Sequence, residues 1–155
     1  MKYPNLEKLV DIIAVLRSEN GCEWDREQTH KSLRPNMLEE AYEAVDAIDE
    51  GDISNLREEL GDVLLQVVLH AQIAKDDGEF DIEDVAKELS DKVIHRHPHV
   101  FGNTEVHSTQ EILDNWDKLK KEEKTYRKSV LDGISKSQSA LMSAQKISKK
   151  VVKVG

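Results

Sequence analysis

The sequence predicts an all-α protein, a helical bundle whose core is completed by dimerisation. Three observations carry that expectation. Apolar residues recur at helical spacing in segment after segment, and no strand-like alternation runs longer than a few residues. Charged residues are 34% and aromatics only 5%, a composition that suits helices better than a β-sandwich. Just 7 Gly and 3 Pro in 155 residues leave room for long helices.

The elements follow in order. Leu6, Leu9, Val10, Ile13 and Leu16 space a first helix over about 5–18, which Asn20 and Gly21 end. Residues 22–33 read as a loop with a short helical turn. Pro35 sits where helix starts tolerate proline, and a second helix runs over about 35–50, stopping at Gly51. Asp52 N-caps a third over about 53–75, which ends at Asp77 and Gly78. Asp81 with Asp84 resembles a capping box for a fourth, ending near Pro98. Ser108 with Glu111 opens a fifth over about 109–124, and a last helical piece covers about 137–150. Residues 1–155 read as one domain, with about 127–155 a basic helical tail.

Charge is divided unevenly along the chain. The net is −9, yet residues 1–117 carry 11 basic and 28 acidic side chains, a net of −17, and residues 118–155 carry 11 basic and 3 acidic, a net of +8. The acidic body argues against nucleic acid as the main partner. The basic tail is a solvated helix pairing with acidic surface, or a segment that touches phosphates. A DNA-binding protein using that tail is a weaker reading, which predicts salt-sensitive duplex binding. One cysteine, Cys22, excludes an internal disulfide and fits a reducing cytoplasm. No signal peptide is visible, and the apolar run near residue 65 is too short and too interrupted to span a membrane. The expected location is the cytoplasm.

Two acidic pairs carry the chemistry. Glu40 with Glu43, and Glu59 with Asp62, are each spaced i, i+3, so each pair shares a helix face. Glu59 and Asp62 sit in the most apolar helix of the chain, where Glu59, Asp62, Gln66 and His70 form one narrow polar stripe and nearly everything else from Leu60 to Ala74 is apolar. A helix apolar on nearly all sides is buried on nearly all sides, and a domain this small needs a subunit partner to surround it. In the second helix Met37, Leu38, Ala41, Val45 and Ile48 form the apolar stripe, flanked by Glu40 and Glu43. Packed antiparallel through a short loop, the two helices bring four carboxylates around one point. Buried carboxylates are costly unless their charge is compensated, and a hard divalent cation such as Mg²⁺ takes oxygen ligands. For Glu59 the plainer reading is a first-turn acid favoured by the helix dipole, a reading that suits Asp62 less.

The resemblance is specific. Glu39, Glu40 and Glu43, fifteen intervening residues, then Glu59 and Asp62 resemble the signature of the MazG nucleoside triphosphate pyrophosphohydrolases. Gly21-Cys22-Glu23-Trp24-Asp25 followed by Gln28, Thr29, His30, Ser32 and Leu33 is similar to that family's N-terminal segment. Glu59-Leu60-Gly61-Asp62 with Leu64, Gln66, Val67 and Val68 resembles its core helix. Arg96-His97-Pro98-His99-Val100-Phe101 resembles a further block, and Trp116 with Lys120 another. The likeness covers nearly the whole chain in order. Glu23 departs from it, standing where a proline is usual, and related proteins commonly continue past this point into a second, similar domain.

The resemblance implies an all-α, usually dimeric enzyme that cleaves a nucleoside triphosphate to a monophosphate and pyrophosphate. It implies Mg²⁺, with Mn²⁺ as a substitute, held by Glu40, Glu43, Glu59 and Asp62. Glu39 lies about 100° from Glu40 on a helix wheel and either orients water or faces solvent. Lys92 and Arg96 are i, i+4 and by resemblance occupy phosphate-contacting positions; spacing alone fits a solvated basic face equally well. Trp116 and Lys120, again i, i+4, suit a base-stacking and phosphate-contacting edge, or for the tryptophan a core or interface position. The chemistry fits these residues independently, since a divalent ion orients water and neutralises a pyrophosphate leaving group. A narrower relative acting on dUTP, dCTP or phosphoribosyl-ATP shares the same acidic motif. A non-catalytic nucleotide- or partner-binding module is the rival of another class, in which Glu59 and Asp62 serve only capping and charge balance.

Two other patterns point elsewhere. His95, His97 and His99 suggest zinc, but they alternate at a helix end beside Pro98, and no cysteine supports them; a loop-shaping role is expected, with residues 99–101 packing onto the bundle. Glu27 and His30 form only one of the two motifs that a di-iron bundle needs. Cys22 lacks a nearby base and reads as a small packed side chain.

Overall fold

The computed structural model describes residues 3–126, 129 and 131–152. All regular elements among them are helices, in two compact units, Met1–Leu89 and Ser90–Gly155.

In the first unit, α1 (Pro4–Arg17), α2 (Glu23–Glu27), α3 (Arg34–Glu50) and α4 (Ile53–Asp76) precede the opening turns of α5 (Ile82–Arg96). α1 packs on α2 and α4, and α3 packs on α4. The core gathers Ile13, Leu33, Val68, Leu69 and Ile73, with Leu9, Val10, Leu16, Leu65 and Ile82 against it. Arg17 fastens the end of α1. Its Nε donates to Asp76 Oδ2 at 2.8 Å, and Nη1 donates to the carbonyls of Asp25 at 2.5 Å and Gln28 at 3.3 Å. Gly21 lets the chain turn close to α1, because a Cβ there would lie 2.2 Å from the Leu16 carbonyl oxygen, which accepts from the Cys22 N–H at 2.7 Å.

The α3–α4 hairpin is set by local chemistry. Gly51 closes α3 at φ 72°, a left-handed position that other residues resist. Asp52 then caps α4, its Oδ1 accepting from the N–H groups of Ser54 and Asn55 at 3.0 Å each. At the start of α5, Asp84 accepts from the Asp81 N–H while Asp81 accepts from those of Glu83 and Asp84.

Two features of this hairpin describe the single chain. Met37, Leu38, Ala41, Val45 and Ile48, the apolar stripe of α3, are all exposed, and α3 buries Ala44 and Ala47. Small residues let two helix backbones approach closely, so alanines make the contact. α4 is buried over only part of its length. Val68, Leu69, Ala71, Ile73 and Ala74 are buried, but Leu60 and Leu64 remain 53% and 38% exposed.

In the second unit the rest of α5 leads into α6 (Pro98–Phe101), α7 (Thr109–Glu122) and α8 (Ala140–Val152). Ser108 Oγ accepts from the Glu111 N–H at 3.2 Å, and Glu111 Oε2 accepts from the His107 N–H at 2.7 Å. α6 was not expected. Its Val100 and Phe101 are exposed, which corrects the expectation that they pack, because a four-residue helix beginning at Pro98 carries them outward. His97 and its neighbour His99 have ring centroids 5.7 Å apart, and His97 Nδ1 lies 2.6 Å from the Val93 carbonyl at the end of α5. The last helix, expected over about 137–150, runs over Ala140–Val152 with turns before it; residues 127, 128, 130 and 153–155 of the tail lie outside the described ones.

Candidate active site

α3 and α4 bring acids together. Glu40 and Glu43 stand one turn apart on α3, on the side that buries Ala44 and Ala47. Glu59 follows from the second turn of α4. One carboxylate oxygen from each of Glu40, Glu43 and Glu59 lies within 4.8 Å of the others. Glu40 and Glu59 are half-buried, and Glu43 is exposed. Asp62, half-buried one turn beyond Glu59, does not join that group, though its charge reaches it. Glu39 is exposed beside them.

The electrostatics are those of uncompensated like charge. Partial burial, then the carboxylates of Asp62, Glu43, Glu39 and Glu59, raise the pKa of Glu40. Partial burial, then Glu43, Asp62 and Glu58, together with a hydrogen bond to Glu43, raise that of Glu59. Among the described residues no ion pair reaches Glu40, Glu43 or Glu59. A cluster of carboxylate oxygens lacking a countercharge fits a hard divalent cation. No other group of metal-ligating side chains occurs among the described residues.

The polar stripe continues along α4. Gln66, one turn past Asp62, is 5% exposed, and its Oε1 has no hydrogen-bond partner among the described residues. His70, a turn further, lies with its Nδ1 2.7 Å from Nδ1 of His30, the two rings parallel to within 6°. Burial, then His30, lowers the pKa of His70.

The basic residues read from the sequence fall in the second unit. Arg96 is 9% exposed and makes a two-pronged pair with Glu123, Nε to Oε1 at 3.0 Å and Nη2 to Oε2 at 2.5 Å. The Arg96 guanidinium carbon lies 5.3 Å and Lys120 Nζ 4.7 Å from the centre of the Trp116 ring, both over its face. Lys92 is half-buried one turn before Arg96. The structure thus brings Arg96, Trp116 and Lys120 together. Sequence reasoning missed Glu123, since 27 residues separate it from Arg96 and no periodicity links them. It also missed the His30–His70 contact, whose only sequence signal was the place of His70 on the polar stripe.

Comparison with known proteins agrees with this architecture. Residues 28–101 match the family described as the MazG nucleotide pyrophosphohydrolase domain. The chain is 49% identical over 150 residues to a nucleoside triphosphate pyrophosphohydrolase/pyrophosphatase MazG of Thermotoga maritima, covering 96% of this chain and 57% of that protein. It is 46% identical over 153 residues to a nucleoside triphosphate pyrophosphohydrolase of Escherichia coli, covering 97% and 58%. It is 50% identical over 148 residues to the Bacillus subtilis protein YabN, covering 95% and 30%. The chain therefore spans between 30% and 58% of the length of these relatives. The crystal structure of a mazG-related protein from Thermotoga maritima superposes with a TM-score of 0.62 at 31% identity, over 74% of this chain and 98% of that one.

Proposed function

The chain belongs to the MazG family, and from that premise we propose that it hydrolyses (deoxy)nucleoside triphosphates to the monophosphate and pyrophosphate using Mg²⁺, or Mn²⁺ in its place. One observation carries the reading: three carboxylates on two adjoining helices converge within 4.8 Å, with no ion pair to balance them among the described residues.

Glu40, Glu43, Glu59 and Asp62 are assigned as ligands. The bound ion supplies positive charge to phosphate oxygens and acidifies a water. The chain's own side chains do the rest. A carboxylate oxygen left outside the ligand set takes the proton of the attacking water, and exposed Glu39 is assigned to orient that water. Lys92, Arg96 and Lys120 are assigned to phosphate oxygens and Trp116 to the face of the base, an assignment supported by the gathering of Arg96 and Lys120 at the Trp116 ring. Residues 1–155 act as one functional domain in the cytoplasm, cleaning or adjusting nucleotide pools. The working form is a homodimer or higher homo-oligomer. The support is the run of exposed apolar residues on the α3–α4 hairpin, Leu38, Val45, Ile48, Leu60 and Leu64, which a second copy would cover.

The test uses purified protein, Mg²⁺ and the eight common ribo- and deoxyribonucleoside triphosphates, with products separated by ion exchange. Monophosphate plus pyrophosphate is expected, and Glu59→Gln should abolish it. Diphosphate plus phosphate would mean cleavage at another bond. No turnover, with Mg²⁺-dependent nucleotide binding retained, would make the protein a binding module.

A further inference from the structure

The position of Glu123 needs an explanation that α7 does not supply. It is the C-cap residue of that helix, its N–H bonded to the Leu119 carbonyl at 3.0 Å. A carboxylate there faces the negative end of the helix dipole, which is unfavourable. What holds it is Arg96, with other basic side chains nearby. Arg96, the only buried charged residue among the described ones, grips it through Nε and Nη2. His95 Nε2 lies 3.9 Å from Oε1, and the charge of Lys92 also reaches it. Trp116, under the Arg96 guanidinium, links this set to Lys120.

A guanidinium receives a carboxylate and a phosphate with the same forked geometry, so the two compete for one place. We propose that Glu123 is a resident anion on the phosphate-binding cations, displaced by the polyphosphate chain of an incoming nucleotide and returning as pyrophosphate leaves. The inference rests on the assignment of Lys92, Arg96, Trp116 and Lys120 to substrate. Glu123 carries one negative charge and a triphosphate carries several, so a triphosphate wins the exchange where a weakly charged ligand does not. The residue thereby sets a threshold of ligand charge. Only turns follow it, over residues 123–126, so the side chain leaves Arg96 without unwinding α7.

The test is titration calorimetry with inorganic tripolyphosphate, in chelator so that no metal contributes, on the wild-type chain and on Glu123→Gln. The variant is expected to bind about tenfold tighter, the size of one charge-assisted hydrogen-bonded competitor removed. With nucleotide and Mg²⁺ its KM should fall and inhibition by pyrophosphate should strengthen. Equal or weaker binding by Glu123→Gln would mean that Glu123 only positions Arg96; the inference falls and the proposed activity stands. If no form binds tripolyphosphate, the cluster is not a phosphate site, and the inference falls with the assignment beneath it, while hydrolysis is scored separately. Glu123→Asp decides if the Gln variant does not fold. Its shortened carboxylate reaches Arg96 poorly and must also bind tighter than wild type, or the inference is overturned.

Discussion

Nδ1 of His30 and Nδ1 of His70 share one hydrogen bond, 2.7 Å long, between the turn before α3 and the middle of α4. A hydrogen bond between them needs one nitrogen to donate and the other to accept, so a pair charged on both rings cannot keep it. Burial, then His30, lowers the pKa of His70 below the ordinary histidine value of about 6.5. In the window below about 6.5 the unfolded chain therefore binds more protons than the folded one, and stability falls as pH drops through it. The melting temperature followed from pH 8 to pH 5 should decline below about 6.5, and His70→Gln should flatten that decline. A wild-type profile without the decline would refute this account.

Glu40 and Glu59 titrate in the opposite sense. Their raised values mean that the folded chain holds protons more tightly than the unfolded one, so ionising them as pH rises costs stability. Metal-free Glu59→Gln should melt above metal-free wild type at neutral pH, and added Mg²⁺ should raise the wild type more than the variant. Its turnover should drop about a hundredfold or more. A metal-free variant that melts below wild type would show that Glu59 is held by something other than repelled.

Gln66 buries an acceptor, Oε1, that finds no donor among the described residues. Replacing it with methionine removes an unsatisfied polar group at similar volume, so thermal unfolding should show a gain of about 1–3 kcal/mol. A loss would mean that a bound water or ligand donor normally pairs with that oxygen.

Gly21 has no room for a side chain, since its nearest neighbours are the backbone carbonyls of Val15 and Leu16 rather than a flexible tip. Gly21→Ala should cost about 1–3 kcal/mol in denaturant titration, as an overpacked site does. A variant as stable as wild type would mean that the turn after α1 shifts freely.

What the sequence made legible was local. Gly51, Asp52, Asp81 with Asp84, and Ser108 with Glu111 mark helix ends through bonds spanning a few residues, so the major helices were expected within a few residues of where they lie. The acidic pairs were legible for the same reason, as i, i+3 spacing in a chain that folds back at Gly51. Which face of α3 turns inward was not. Hydrophobicity favoured Leu38, Val45 and Ile48, and close approach favoured Ala44 and Ala47. Hydropathy along one helix carries no information about the distance to its neighbour. Arg96 with Glu123, and His30 with His70, join residues 27 and 40 positions apart, and such pairings depend on tertiary placement that no local spacing encodes.

The two-residue link at Gly51 and Asp52 has a consequence for refolding. Glu40, Glu43 and Glu59 lie within one helical hairpin of adjacent elements, whose closure costs little chain entropy. The same closure draws the three carboxylates together, so their mutual repulsion opposes the step that the short link favours. Protonation or added salt eases that opposition, which ties the rate of hairpin closure to the solution as well as to the loop.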